Sequence, residues 1–368
     1  MTSPRLLRAL VALSLAIATP AAAQQARPSI FAVDTTAAVD ETVDLDGNHV
    51  TGVTVDAVVS AVLGRGFEAI VRPFAQRLNT GEWNRQVWIA TLRYERPAAI
   101  GLRVDAGLIP SPIGLANLTL RPQLNPTISQ PSSLFTPLPP LEGPGVRGVR
   151  ATLLGAVYAY GAQVTVSGTH WDARAALIDT SPLRTRRVFA QSNPPHFANV
   201  VLGGGVTPVI GLRVGASVTH GAWQRAGENP LVTSDRPATI VTVESELAFR
   251  YTKLAGEWTR DQLATSTGDR VASGWFVQGQ QTLTPRWFVA GRVERMTAPA
   301  VFWLGGTLTP LEPPLVVEQR LNGVEETLGY RLTPELTLRA SHRARQGFGR
   351  PGFDQTFSVS AVWWRRWI

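Results

Sequence analysis

The sequence contains no cysteine, which excludes disulfides, thiolate nucleophiles and cysteine-based metal centres. Lysine is almost as scarce. Of 35 basic residues only Lys253 is a lysine, and the rest are arginine. No stretch of about 20 apolar residues follows the N-terminal segment, so no transmembrane helix is expected. Helical periodicity is hard to find after Gln24. There is no G-x-S-x-G, and Gly203-Gly204-Gly205 lacks the Lys-Ser/Thr of a phosphate loop. The five histidines are scattered. Asp44-Leu45-Asp46-Gly47-Asn48 lacks the remaining ligands of a calcium loop and reads as an Asp-Gly turn. No catalytic residue, metal or cofactor is therefore expected, and the chain is not read as an enzyme. The net charge of +8 comes from arginines dispersed among acids, so nucleic acid is not an expected partner.

What the chain does contain begins with a targeting segment. Arg5 and Arg8 form a basic start, Ala9 to Ile17 an apolar stretch, and Ala21-Ala22-Ala23 a cleavage site before Gln24. Residues 1–23 read as a signal peptide and 24–368 as one domain.

Beyond that point, alternation with period two recurs between turn residues. Sixteen such segments can be read: Ser29–Val39, Gly52–Leu63, Phe67–Arg77, Arg85–Arg96, Gly101–Leu108, Val149–Ser167, His170–Asp179, Ala198–Val206, Gly211–Gly221, Thr239–Arg250, Leu254–Asp261, Ser273–Thr282, Trp287–Arg295, Gly323–Leu332, Leu336–Arg345 and Thr356–Trp367. In Arg85–Arg96 the alternation sets Trp88, Ala90, Leu92 and Tyr94 against Arg85, Thr91, Arg93 and Glu95. Each strand then has one apolar and one polar face.

The connections alternate between short and long, with every short one after an even-numbered strand. Thr-Pro turns recur at Thr207-Pro208, Thr284-Pro285 and Thr333-Pro334. Short turns on one side and longer loops on the other are the pattern of an all-β, transmembrane antiparallel β-barrel. Trp171, Trp287, Trp223, Trp363, Trp364 and Trp367 lie near segment ends, as an aromatic girdle would place them. A soluble β-sandwich is the competing architecture, with these apolar faces as its core.

At this point the chain resembles a bacterial outer-membrane porin. The run Leu102-Arg103-Val104-Asp105-Ala106-Gly107-Leu108-Ile109-Pro110-Ser111-Pro112-Ile113-Gly114 is similar to the strand and loop entry of the phosphate-selective porin O/P group. The resemblance implies passive diffusion of small solutes, anions among them, through a water-filled barrel narrowed by the loop at 109–144. It implies outer-membrane lipid, small solutes and the barrel-assembly machinery as partners, and it admits a homotrimer. Two features depart from the family: the chain ends Arg366-Trp367-Ile368 and not on an aromatic residue, and a single lysine does not carry phosphate selectivity over. The alternative is a plugged barrel with an adhesion, assembly or structural role.

The residues expected to face the pore are Arg72, Arg85, Arg93, Arg103, Asp105, Asp172, Arg174, Arg213, Arg292, Glu294 and Arg339. Rings of charge set ion preference, so they could form an arginine-rich path. Spacings of i and i+2 on one face (Arg93/Glu95, Arg103/Asp105, Asp172/Arg174, Arg292/Glu294) suggest instead a mutually neutralised wall. The segment from Ile109 to Pro144, between strands five and six, holds nine prolines, and its only charges are Arg121 and Glu142. With Phe135 these are its expected constriction residues. Its leucines and isoleucines should pack against something, and the apolar loop from Thr297 to Pro314 is expected to pack over it.

Overall fold

The computed structural model describes residues 30–79, 81–115, 120–142, 151–155, 158–184, 199–228, 232–302 and 315–367. The signal segment, Leu118 and Trp303 lie outside them.

The sixteen alternating segments form sixteen strands: β1 (Phe31–Asp44), β2 (His49–Gly64), β3 (Phe67–Arg77), β4 (Trp83–Arg96), β5 (Gly101–Ile109), β6 (Ala159–Ser167), β7 (Trp171–Ile178), β8 (Asn199–Val209), β9 (Leu212–Gln224), β10 (Arg236–Phe249), β11 (Thr252–Leu263), β12 (Arg270–Thr282), β13 (Trp287–Phe302), β14 (Leu315–Arg331), β15 (Leu336–Gln346) and β16 (Asp354–Trp367). Each pairs antiparallel with its neighbours, and β1 pairs β16 to close the barrel. Closure leaves no unpaired edge, which is what lets a sheet stand in lipid. Among the described residues one short helix, α1 (Ser132–Phe135), lies in the connection between β5 and β6.

The outer face is apolar. Val200, Leu202, Val214, Val218, Val243, Trp258, Trp275, Val277, Val293 and Leu328 are all exposed. At the short-turn end, aromatic pairs stand on this face. The Phe67 and Tyr94 ring centroids are 5.0 Å apart, and those of Trp287 and Tyr330 4.6 Å. A closed barrel with an apolar belt and an aromatic girdle is a membrane barrel. The sandwich alternative fails on closure, because among the described residues no second sheet covers these faces.

Turn chemistry explains several connections. In the β2–β3 turn, Gly64, Arg65 and Gly66 all have positive φ, a conformation that glycine enters without a Cβ penalty. Asp44 accepts from the Asn48 backbone N–H and side-chain amide, both at 2.8 Å, so this acidic run is a hairpin turn. Thr284 Oγ1 accepts from the Arg286 and Trp287 N–H groups, and Thr333 Oγ1 from those of Glu335 and Leu336. These are two copies of one Thr-Pro turn. Thr207-Pro208 is not a third. It lies inside β8 at a register shift, and Gly211, with φ +90, makes the turn.

Three expectations change. The strand read from Val149 begins only at Ala159. Leu153 and Leu154 are both fully buried, and consecutive residues buried together do not fit a half-buried strand. The loop read at 297–314 is shorter, because Thr297–Phe302 pair with β14 and extend β13. Lastly, Trp223 is buried inside the barrel, with its indole N–H on the Ala264 carbonyl at 3.0 Å, and is not a girdle residue.

Candidate functional site: the barrel interior and its inserted loop

Strand alternation fixes which charges turn inward. Register carries the inner row across neighbouring strands, for example Thr165, Arg174, Gly203, Ser217 and Thr242. Of the charges expected inside, Arg72, Arg93, Arg103, Asp105, Asp172, Arg174, Arg213, Arg292, Glu294 and Arg339 face the interior. Arg85 does not. A register shift opposite Arg72 and Pro73 inserts one residue into β4. Beyond such a bulge the faces exchange. Arg85 consequently lies exposed beside Val55, Ala75 and Val87, while Trp88 turns in and stacks on Phe74 at 3.9 Å.

Most of the expected inward charges meet a charge of opposite sign, several of them on another strand. Arg93 Nε donates to Asp105 at 2.8 Å, with Glu68 at 3.8 Å. Arg103 meets Asp105 at 3.0 Å. Arg213 bonds both Asp172 oxygens, at 2.9 and 3.0 Å, and Glu244 at 2.7 Å. Arg174 reaches Ser217 at 2.9 Å and Glu244 at 3.4 Å. Of the expected i and i+2 pairs, Arg103/Asp105 and Arg292/Glu294 meet. Asp172 pairs with Arg213 of β9 and not with Arg174, because Gly205 on the intervening β8 has no side chain and lets the Arg213 guanidinium reach across that strand. A Cβ on Gly203 would crowd Arg174 Nε, and one on Gly205 would crowd Arg213. Those glycines let both guanidiniums lie against the wall. The side chains of Arg93, Arg103, Asp172 and Arg213 keep 23–40% exposure, so this group on β4–β9 faces open space.

The opposite wall is occupied. From its root on β5 the loop reaches β10–β15, β1 and β2, and it is held largely by its backbone. Glu325 accepts from the Ile128 and Ser129 N–H groups, both at 3.0 Å. Glu294 accepts from the Ser132 N–H and hydroxyl, both at 2.7 Å. Glu257 accepts from the Leu115 N–H. Arg339 Nη1 donates to the carbonyls of Pro122, Asn125 and Thr127 at 3.2, 2.8 and 3.0 Å. Arg292 donates to Thr127 and to the Ser129 carbonyl at 3.0 and 2.8 Å, and to Glu325 at 2.8 Å.

The loop's two charges are both anchored. Arg121 bonds Asp34 at 2.7 Å and stands 3.6 Å from Asp56. Glu142 takes Arg236 and the Ser266 hydroxyl. Around the rest, Ile113, Leu120, Leu134, Leu138 and Leu141 join inward Ala176, Ile178, Val201, Ile240, Leu263, Phe276 and Leu321 in one buried cluster. Phe135 is half-exposed. The Val301 N–H donates to the Pro140 carbonyl at 2.9 Å, so the end of β13 covers the loop.

Sequence reasoning missed the anchors Asp34, Asp56, Glu325 and Arg236. Asp56 carried a signal: it is the one charge in the valine-rich run Val53–Val59. It binds Arg72 through both oxygens. Arg72 in turn donates to Tyr158, whose burial pushes its phenol above the ordinary range.

No protein-family model matches the chain, and no curated protein matches it in sequence. Solved structures do match. Salmonella typhi OmpF in complex with daunomycin aligns over 91% of this chain and 97% of its own, at 10% identity and TM-score 0.59. An anion-selective porin from Comamonas acidovorans aligns over 92% and 99%, at 11% identity and TM-score 0.56. In-vitro folded OmpT of Vibrio cholerae, in a trimer form, aligns over 91% and 99%, at 10% identity and TM-score 0.53. The chain has the fold of these outer-membrane barrels. With its own apolar belt and girdle, that fold places it in the outer membrane. The strand count and the short-turn, long-loop alternation read from sequence agree with this fold.

Proposed function

We propose that the chain is an outer-membrane porin through which small solutes diffuse passively, with the loop from Ile109 to Glu142 narrowing the lumen. The observation that carries this reading is the division of the interior. The loop is fixed against β10–β15, β1 and β2, while the paired charges on β4–β9 keep their exposure. Because those arginines are matched by carboxylates, the proposed passage discriminates weakly between anions and cations, and phosphate selectivity forms no part of the proposal. Homotrimer assembly, insertion by the barrel-assembly machinery and the signal peptide at 1–23 belong to the same reading. Single-channel recording in planar bilayers tests it. Discrete conductance steps with a permeability ratio near unity are expected, and a silent folded barrel defeats the proposal.

The apolar cluster favours a second reading, a plugged barrel with a structural or adhesive role. Continuous burial from the loop leucines to β7–β14 is what a plug requires. The same recording separates the two, since a plugged barrel passes no current.

A further inference from the structure

On the outer face, β13–β16 and β1 enclose an apolar groove of about 370 Å³, within the roughly 300–1,000 Å³ of ligand clefts. Trp287, Leu328 and Tyr330 form one side, and Val39 and Val359 the other. Ala340 and Ala361 line it too, and these small side chains give the groove its depth. It is an indentation in the surface that faces lipid.

The short-turn end of the groove is basic. Arg286 Nη1 donates to the Tyr330 hydroxyl at 3.3 Å, which holds the guanidinium on the outer side of the turn. Arg365 pairs with outward Thr35, and its guanidinium lies 4.3 Å from the Trp367 ring centroid. Among the described residues neither arginine makes a salt bridge. Glu335, the acid in the same rim, accepts from the Thr333 hydroxyl at 3.2 Å.

We propose that this groove binds a phospholipid of the inner leaflet: one acyl chain lies over Ala340 and Ala361, and the phosphate meets Arg286 and Arg365. The chemistry is complementary at both ends. An apolar trough in the belt suits a chain, and arginine at the aromatic girdle suits a phosphate oxygen. Short turns mark the periplasmic side, so the ligand comes from the inner leaflet and not from the outer surface. The inference rests on the barrel lying in the outer membrane and not on what passes through it.

The test is native mass spectrometry of the folded full-length barrel, delipidated and then exposed to dioleoyl-phosphatidylglycerol. Variants R286Q, A340F and R250Q are compared, with folding of each checked by heat-modifiable gel mobility. Wild type and R250Q, which alters the same rim away from the groove, should retain one tightly held lipid. R286Q should lower that retention several-fold, and A340F should abolish it. Equal retention by all four, or none by wild type, overturns the proposal. So does a dimeric or trimeric mass lost only in A340F, which would make the groove a contact between copies of the chain. None of these outcomes depends on conductance, so failure here and failure of the porin reading are distinguishable.

Discussion

Arg72 and Asp56 face each other side-on across β2 and β3, with Nε at 2.9 Å and Nη2 at 2.6 Å from the two carboxylate oxygens, and Asp56 is fully buried. The Arg72 guanidinium also lies 4.8 Å from the Trp88 ring centroid. Removing one member of a buried pair leaves the other uncompensated, at a cost of about 3–5 kcal/mol. D56A strands Arg72 and weakens the hold on Arg121. Its urea unfolding midpoint in detergent should fall accordingly, and D56A combined with R72L should recover part of the loss. A single variant as stable as wild type would show that the pair contributes nothing.

The loop is held by Glu325 and Glu294 through backbone N–H groups, so removing a carboxylate cannot be compensated by side-chain changes within the loop. E325A should raise single-channel conductance and its fluctuation. Deleting Pro122–Pro140 should raise conductance further. If the deletion barrel conducts as wild type does, the loop is not the narrow point.

Leu134 is fully buried within the interior cluster. Truncating such a leucine to alanine costs about 2–5 kcal/mol. Here the loss falls on loop docking, since barrel closure rests on strand pairing. L134A should become sensitive to protease between Leu120 and Leu141 while its heat-modifiable mobility is unchanged. Resistance equal to wild type would place the stability of the loop elsewhere.

Selectivity should respond to Arg213 and Glu244 with opposite signs. R213Q leaves Asp172 and Glu244 with less positive charge near them and should favour cations. E244Q leaves Arg174 and Arg213 in excess and should favour anions. Reversal potentials under a salt gradient read both. Shifts of the same sign would mean that ions do not pass this group.

The outer belt predicts its own sensitivity. Val293 is 46% exposed in the middle of β13. An arginine at the bilayer midplane costs about 2–4 kcal/mol. V293R should lower the folding equilibrium into vesicles by that amount. Little effect in vesicles would argue that this face does not meet lipid.

Much of this architecture could be read from the chain because its information is local. Alternation in Phe67–Arg77 or Leu336–Arg345 needs no distant partner, and turn chemistry such as Thr333-Pro334 punctuates it. Arg85 and Trp88 lie on the faces opposite to those their alternation predicts, because the residue inserted in β4 is visible only against β3. The β6 boundary was missed because buried Leu153 and Leu154 belong to the interior cluster, whose other members are far off in sequence. Glu325 and Asp34 escaped notice for the same reason. Their roles are set by Ser129 and Arg121, which no spacing rule connects to them.

The loop's anchorage also bears on the order of folding. Its fixings come from β1, β2 and β10–β15, and so from both ends of the chain. A segment emerging between β5 and β6 meets Asp34 early, but it meets Glu325 and Arg339 only when the last strands are in place. These are contacts of long sequence separation, which form slowly because loop closure precedes any gain. Seating of the loop therefore reports that the barrel has closed, and a barrel stalled before β14 would carry this apolar segment unburied and prone to aggregate.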